Sequence, residues 1–312
     1  MKKLFLPLLE NGRRFFCSHS HMFVPANRPM LEEELNTLQN FLRQAGRLFV
    51  MTGAGVSTES GIPDYRSEKV GLYARTDHRP IQYQEFLKSA DRRQKYWARN
   101  FVAWPQFSSF QPNICHEVLA QWEREGRISW LVTQNVDALH TKAGSRRVTE
   151  LHGCSHRVHC LNCSYEMTRS DMQKLITEFN PDWNIESVDI APDGDVQLKD
   201  EQVKDFKVPP CPNCEGVLKP EIIFFGDNVA RSTVNFVFEK IRECDAVLLL
   251  GTSLYIYSGY RFVLAAHEQK KPIGAVNIGK IRGDNLLDFQ INARCGKVFE
   301  RLKITSAKKI IC

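Results

Sequence analysis

Two cysteine pairs, Cys160-Leu-Asn-Cys163 and Cys211-Pro-Asn-Cys214, carry the most pointed chemistry in the chain. Each Cys-x-x-Cys turn can aim two thiolates at one ion, and four thiolates complete a closed tetrahedral shell. A closed shell leaves no position for water, so the spacing predicts a structural zinc ion rather than a catalytic one. Disulfides are the alternative, disfavoured in a reducing compartment. The pairs stand far apart for a compact zinc ribbon, and the polar stretch 182–207 accounts for the distance as an excursion. Cys154, His156 and His159 lie close by but are surplus to a four-thiolate site.

A second group of residues suits a nucleotide. Gly53-Ala54-Gly55-Val56-Ser57-Thr58-Glu59-Ser60-Gly61-Ile62-Pro63-Asp64-Tyr65-Arg66 follows an apolar run. Glycines there let the backbone approach a pyrophosphate, with amide groups at a helix start as donors. The third glycine comes too late for the standard dinucleotide fingerprint, and Gly-x-Gly alone is equally a tight turn. Thr133-Gln134-Asn135-Val136-Asp137 sets two amides and an acid just past another apolar run. Desolvated polar groups are costly unless paired, and these suit another amide, such as a nicotinamide carboxamide. A turn held by Asn and Asp is the plainer alternative. His152, before Gly153, has an ordinary pKa of about 6.5 and can take a proton from a sugar hydroxyl. His116 and His140 read as structural residues.

These groups need a scaffold that brings them together. Leu31, Leu35, Leu38 and Leu42 repeat at helical spacing up to Gly46, which predicts an amphipathic helix. Short apolar runs at 47–52, 128–133, 246–250 and 273–276 alternate with helix-like stretches, including 113–125 and 231–244. That alternation predicts a Rossmann-like α/β fold, a parallel sheet with helices on both faces. Ligands of such sheets bind beyond the carboxyl ends of the strands, where each run stops in Gly, Thr, Ser, Asn or Gln. Two stretches interrupt the layout: a helical insert at 71–112, with Arg92, Arg93, Lys95 and Arg99 expected on a solvated face, and a zinc module at 154–219. The Rossmann-like part is then 30–70, 113–153 and 220–312.

Composition bounds the reading. The 312 residues are 43% hydrophobic and 25% charged, as in soluble globular proteins, and no apolar run approaches the roughly 20 residues of a membrane span. The net charge is +6, of which residues 1–28 hold +4, leaving no electrostatic footprint for a nucleic acid. In 1–28, basic residues interleave with leucine and phenylalanine and Glu10 is the single acid. That composition predicts a mitochondrial transit peptide and a matrix location for 29–312.

Taken together, these segments resemble the signature sequences of the sirtuins, NAD-dependent protein deacylases, over almost all of residues 30–300. With Tyr65 the glycine-rich segment is similar to that of class II members, and 256–261 and 191–196 look closest to a mitochondrial branch. The resemblance implies an NAD site built from Gly53, Ala54, Gly55, Val56, Ser57 and Thr58, with Asp64, Tyr65, Arg66 and Tyr73 in a flexible cofactor loop. It places Gln134, Asn135, Val136 and Asp137 at the nicotinamide end. Gly251, Thr252, Ser253, Asn277, Ile278 and Gly279 would meet the ribose and adenine halves, with Cys295 at the edge. It makes His152 the catalytic base, with Asn135 beside it, and Cys160, Cys163, Cys211 and Cys214 the zinc ligands.

The implied chemistry is attack of an acyl-lysine oxygen on the ribose carbon as nicotinamide leaves, releasing lysine and O-acyl-ADP-ribose. Substrates would be acylated proteins, mitochondrial metabolic enzymes among them. A substrate peptide would add as a strand along 226–228 and Gly259-Tyr260, and Val136, Ile222, Ile223 and Phe225 would line an acyl tunnel unless they are core. Tyr73, Arg75 and Tyr83 only approximate the Tyr-x-x-Arg pair that clamps acidic acyl groups in class III relatives. The resemblance to that mitochondrial branch implies longer or branched acyls of lipoyl, biotinyl or methylglutaryl type over acetyl. Protein mono-ADP-ribosyl transfer would use the same crevice, and a non-enzymatic NAD or ADP-ribose sensor would need no base.

Overall fold

The computed structural model describes residues 22–77, 79–186 and 190–308, with backbone alone from 303 onward. Most of the expected transit peptide, with Cys17, lies outside the described residues, as does Cys312. Six parallel strands form the main sheet: β1 Leu48–Thr52, β2 Ile128–Thr133, β3 Val148–Glu150, β7 Ala246–Leu250, β8 Ile273–Val276 and β9 Phe289–Ile291. Their order is β3-β2-β1-β7-β8-β9. The four apolar runs read from sequence are the four central strands. All five residues of β1 are buried, because both faces of the sheet are covered. Leu48 and Val50 pack against the helices Glu32–Gln44, Ile114–Arg124 and Cys295–Lys308. Phe49 and Met51 face the helices Arg231–Glu243 and Tyr257–Glu268. Leu31 stands just outside the first helix and is exposed, so the apolar stripe begins at Leu35.

The chain leaves β1 toward β2 and β3, then returns on the other side of β1 as β7. That reversal opens a crevice at the carboxyl ends of β1 and β7. Register aligns its rim: Thr52 pairs with Thr133 on one side and Leu250 on the other, and Leu250 pairs with Val276. Gly53, Gln134, Gly251 and Asn277, the residues that follow, therefore leave the sheet at one level.

A second, antiparallel sheet of β5-β4-β6 is built from β4 Gly153–Cys160, β5 Glu166–Thr168 and β6 Leu218–Ile222. β6 ends at Ile222, which pairs with Gly153 at the start of β4. The helical insert is not a separate module. Tyr96, Trp97 and Ala98 of the helix Ala90–Ser109 share one core with Val158, Met172, Leu218 and Ile222, and Trp97 Nε1 donates to the Leu218 carbonyl at 3.2 Å. Arg169 staples the two parts. Its buried guanidinium donates to Asn100 Oδ1 at 2.7 Å and lies over Trp97 and Trp104.

Described parts of the polar stretch 182–207 pack onto the same helix, Ala90–Ser109. Asn100 Nδ2 donates to the Gly194 carbonyl at 3.1 Å, and Gln94 reaches the Phe206 carbonyl at 2.7 Å. Arg99 departs from the expectation of a solvated face. It pairs with the buried Asp195 at 3.0 Å, a partner too distant in sequence for helical periodicity to reveal.

Candidate active site

The rim of the crevice is held by its own polar side chains. Gln134 Nε2 donates to the Thr52 carbonyl at 3.2 Å and to Thr252 Oγ1 at 2.9 Å, tying the ends of β1, β2 and β7 together. Asn135 Nδ2 donates to the Gly53 carbonyl and to Ser57 Oγ, both at 3.1 Å. Ser57 Oγ in turn donates to Asp137 Oδ2 at 2.6 Å. Asp137 is buried, and desolvation raises its pKa against the opposing bonds from Ser57 and the Leu139 amide. A buried carboxylate is costly unless paired, and Asp137 has two donors. Asn277 closes the far side, with Nδ2 on the Ile278 and Gly279 carbonyls.

His152 sits between the two domains. Its Nδ1 is 2.9 Å from the Gln134 carbonyl oxygen and its Nε2 is 2.7 Å from Ser258 Oγ. A carbonyl only accepts, so Nδ1 carries the hydrogen and Nε2 keeps the lone pair. Burial lowers the pKa of the ring, partly offset by the bond to Gln134. The imidazole is therefore neutral and basic at Nε2 at neutral pH, as a general base must be. Ser258 was not singled out by the sequence; nothing in its local pattern points to a histidine 106 residues away.

Other residues take plainer positions. Val56 is buried in the large core, and Thr58 Oγ1 folds back on the Gly55 carbonyl at 3.0 Å. Asp64 is turned into its own loop, accepting from the Arg66 and Ser67 amides at 2.9 and 2.7 Å. Arg66 lies over the Tyr255 and Tyr73 rings at 4.3 and 5.4 Å, while Tyr65 packs against Tyr73 and Phe225. The Cys295 side chain packs in the large core, 3.6 Å from the Val276 carbonyl. Val136 and Ile222 belong to the small-domain core, whereas Ile223 and Phe225 are half-exposed. Gly259-Tyr260 does not offer a strand edge. Both residues are helical, and their amides are held by the Ile256 carbonyl. His140, bonded to Thr52 Oγ1 at 2.9 Å, and His116, in the cap of the helix Ile114–Arg124, are structural as expected.

Residues 53–258 match the Sir2 family profile. The chain is 57% identical over 277 residues to the human "NAD-dependent protein lipoamidase sirtuin-4, mitochondrial", covering 89% of this chain and 88% of the relative. The chain belongs to the Sir2 family. It is also 50% identical to the Drosophila melanogaster "NAD-dependent protein deacylase Sirt4", over 90% of each chain. A solved structure described as "Structural Basis for the Mechanism and Regulation of Sir2 Enzymes" superposes with a TM-score of 0.68 at 26% identity, covering 87% of this chain and 96% of that one.

Sirtuins use NAD as a co-substrate, and the crevice of this sirtuin fits it. Gln134, Asn135 and Asp137 form a compact set of amide and carboxylate groups at one end, tied through Asn135 to the Gly53 carbonyl and Ser57. The glycines have a role that the sequence did not show. A β-carbon on Gly53 would lie 2.7 Å from Thr252 Cβ, and one on Gly55 would lie 2.8 Å from the Gly251 oxygen. They let two strand-end loops interlock, and that interlock shapes the crevice.

The four predicted zinc ligands converge. Their Sγ atoms lie within 4.8 Å of one another, with Cys160–Cys214 at 3.5 Å and Cys163–Cys211 at 3.8 Å. Zn–S bonds of about 2.3 Å in a tetrahedron put sulfurs about 3.8 Å apart, so the thiolates fit the ion. Two surplus residues lie apart: His156 meets Trp104 edge-on at 4.9 Å, and Cys154 is buried.

Proposed function

We propose that this sirtuin removes lipoyl and related long acyl groups from lysines of mitochondrial matrix enzymes, with His152 as the base. The observation that carries this reading is the imidazole itself, fixed with its basic nitrogen at a crevice whose rim holds Gln134, Asn135 and Asp137.

NAD, when bound, supplies a ribose carbon from which nicotinamide departs. Gln134, Asn135 and Asp137 would hold the carboxamide, and the 53–58 loop would border the phosphates. Gly251, Thr252, Ser253, Asn277, Ile278 and Gly279 would border the ribose and adenine. Thr252 already serves Gln134, so the sugar and amide ends are coupled through one hydroxyl. His152 Nε2 takes the proton of a sugar hydroxyl, and the Gln134 carbonyl stabilises the resulting imidazolium through Nδ1. Cys160, Cys163, Cys211 and Cys214 would hold zinc with every position filled, so the ion supports the small domain and takes no part in the reaction.

Two observations support a long, uncharged acyl group. Arg75, the nearest approximation to an acidic-acyl clamp, turns outward to the Val70 carbonyl at 2.9 Å and lies over the Phe23 ring. The human relative is named a lipoamidase. Residues 1–28 would direct import, and their deletion is expected to leave the protein outside mitochondria in fractionated cells.

Turnover of a panel of acyl-lysine peptides with saturating NAD tests the reading. The expected kcat/KM for lipoyl-lysine exceeds that for acetyl-lysine by about tenfold or more, the range that added apolar contact provides. A preference for acetyl-lysine contradicts the acyl assignment. Transfer of ADP-ribose to protein, with no acyl loss, contradicts deacylation itself.

A further inference from the structure

Ser258 has a contact that the chemistry described so far does not use. It is the second residue of the helix Tyr257–Glu268, and its hydroxyl is 2.7 Å from His152 Nε2. Because Nδ1 must carry a hydrogen to meet the Gln134 carbonyl, the serine must donate to Nε2 when the ring is neutral. Gly259, the residue after one anchor of the imidazole, also packs close to the other anchor, Gln134. A β-carbon on Gly259 would lie 2.8 Å from Gln134 Oε1, so the helix start that presents Ser258 rests on the residue that holds Nδ1. Both ring nitrogens are thus fixed by one packed unit.

Resting on the reading of His152 as the base, we propose that Ser258 is its positioning residue, capping Nε2 in the free enzyme and yielding it to the sugar hydroxyl during turnover. A hydroxyl can serve either state of the ring, donating to the neutral imidazole and accepting from the imidazolium. The second bond is charge-assisted and roughly twice as strong. Removing Oγ therefore disfavours the imidazolium more than the neutral ring, and the free-enzyme pKa of His152 falls. Charged groups on the surrounding elements are engaged elsewhere. Glu150 and Glu221 pair with Arg157 at 2.7 and 2.6 Å. Asp137 is held by Ser57, and Arg261 lies over the Tyr257 ring at 5.0 Å.

The test compares wild type, Ser258→Ala and Ser258→Thr in the full chain. The profile of kcat/KM against pH reports the free enzyme, and that of kcat reports the complex. In Ser258→Ala the acidic limb of kcat/KM moves down by on the order of half a pH unit, and its plateau falls about tenfold as the ring loses an anchor. The limb of kcat stays in place, because the serine has already left Nε2 in the complex. Ser258→Thr, which keeps the hydroxyl, restores both features. An NMR titration of the His152 ring in the free protein shows the same lowered pKa without any turnover. Wild-type ring titration and a wild-type kcat/KM profile in Ser258→Ala overturn the proposal. A shifted ring titration in a protein that removes no acyl group upholds the Ser258–His152 coupling and overturns the deacylase reading instead.

Discussion

Gly55 and Gly251 meet backbone to backbone across the crevice floor: the Gly55 amide donates to the Gly251 carbonyl at 2.8 Å. Neither has room for a methyl group. A β-carbon on Gly251, whose φ is +55°, would lie 2.4 Å from the Val56 nitrogen. Gly55→Ala or Gly251→Ala is expected to destabilise the fold by about 1–3 kcal/mol, as overpacking does. Each should also weaken NAD binding, because the 53–58 loop proposed to border the phosphates would be displaced. Denaturant unfolding and calorimetric titration with NAD check this, and unchanged values in both would show that the loops do not interlock as described.

Zinc should matter beyond its ligands, since the helix Ala90–Ser109 shares its core with the strands that bear them. Cys211→Ser, or treatment with a strong chelator, is expected to abolish stoichiometric zinc measured by mass spectrometry. Amide exchange should then rise in the helix Ala90–Ser109 as well as in β4 and β6. The strands β1, β2, β7 and β8 belong to other cores and should keep their protection. Loss of protection confined to the cysteine turns would contradict the shared core.

Stability should fall as pH drops below neutral. Burial pushes His140 down to about 3 and His156 down to about 4, and lowers His116 well below the usual histidine value. The unfolded chain protonates these rings near pH 6.5, whereas the fold resists until much lower pH. From about pH 6.5 down to about 4 the unfolded state therefore binds more protons, and stability rises with pH across that window. Urea unfolding at pH 7.5, 6 and 5 should show a steady loss, and a flat profile would contradict the burial of these rings as neutral groups.

The sequence disclosed what burial on two faces writes into it. β1, β2, β7 and β8 are continuous apolar runs, and their ends carry the polar residues of the crevice. The edge strands β3 and β9, three residues each, have no period to read. β4 was hidden because its cysteine and histidine residues suggested metal chemistry before a strand. The pairing of Arg99 with Asp195 and of Ser258 with His152 depends on folding that brings distant segments together. The glycines were legible as glycines, but their neighbours across the crevice were not.

The central claim is that His152 works as a base beside NAD in this crevice. Mass spectrometry of a lipoyl-lysine peptide incubated with the full chain and NAD tests it most directly. Wild type should strip the acyl mass and release one nicotinamide per lysine freed. His152→Ala should be slower by about 10² to 10⁴, the usual contribution of a general base, while still binding NAD. Equal rates for the two proteins, or acyl loss without NAD, would contradict the account.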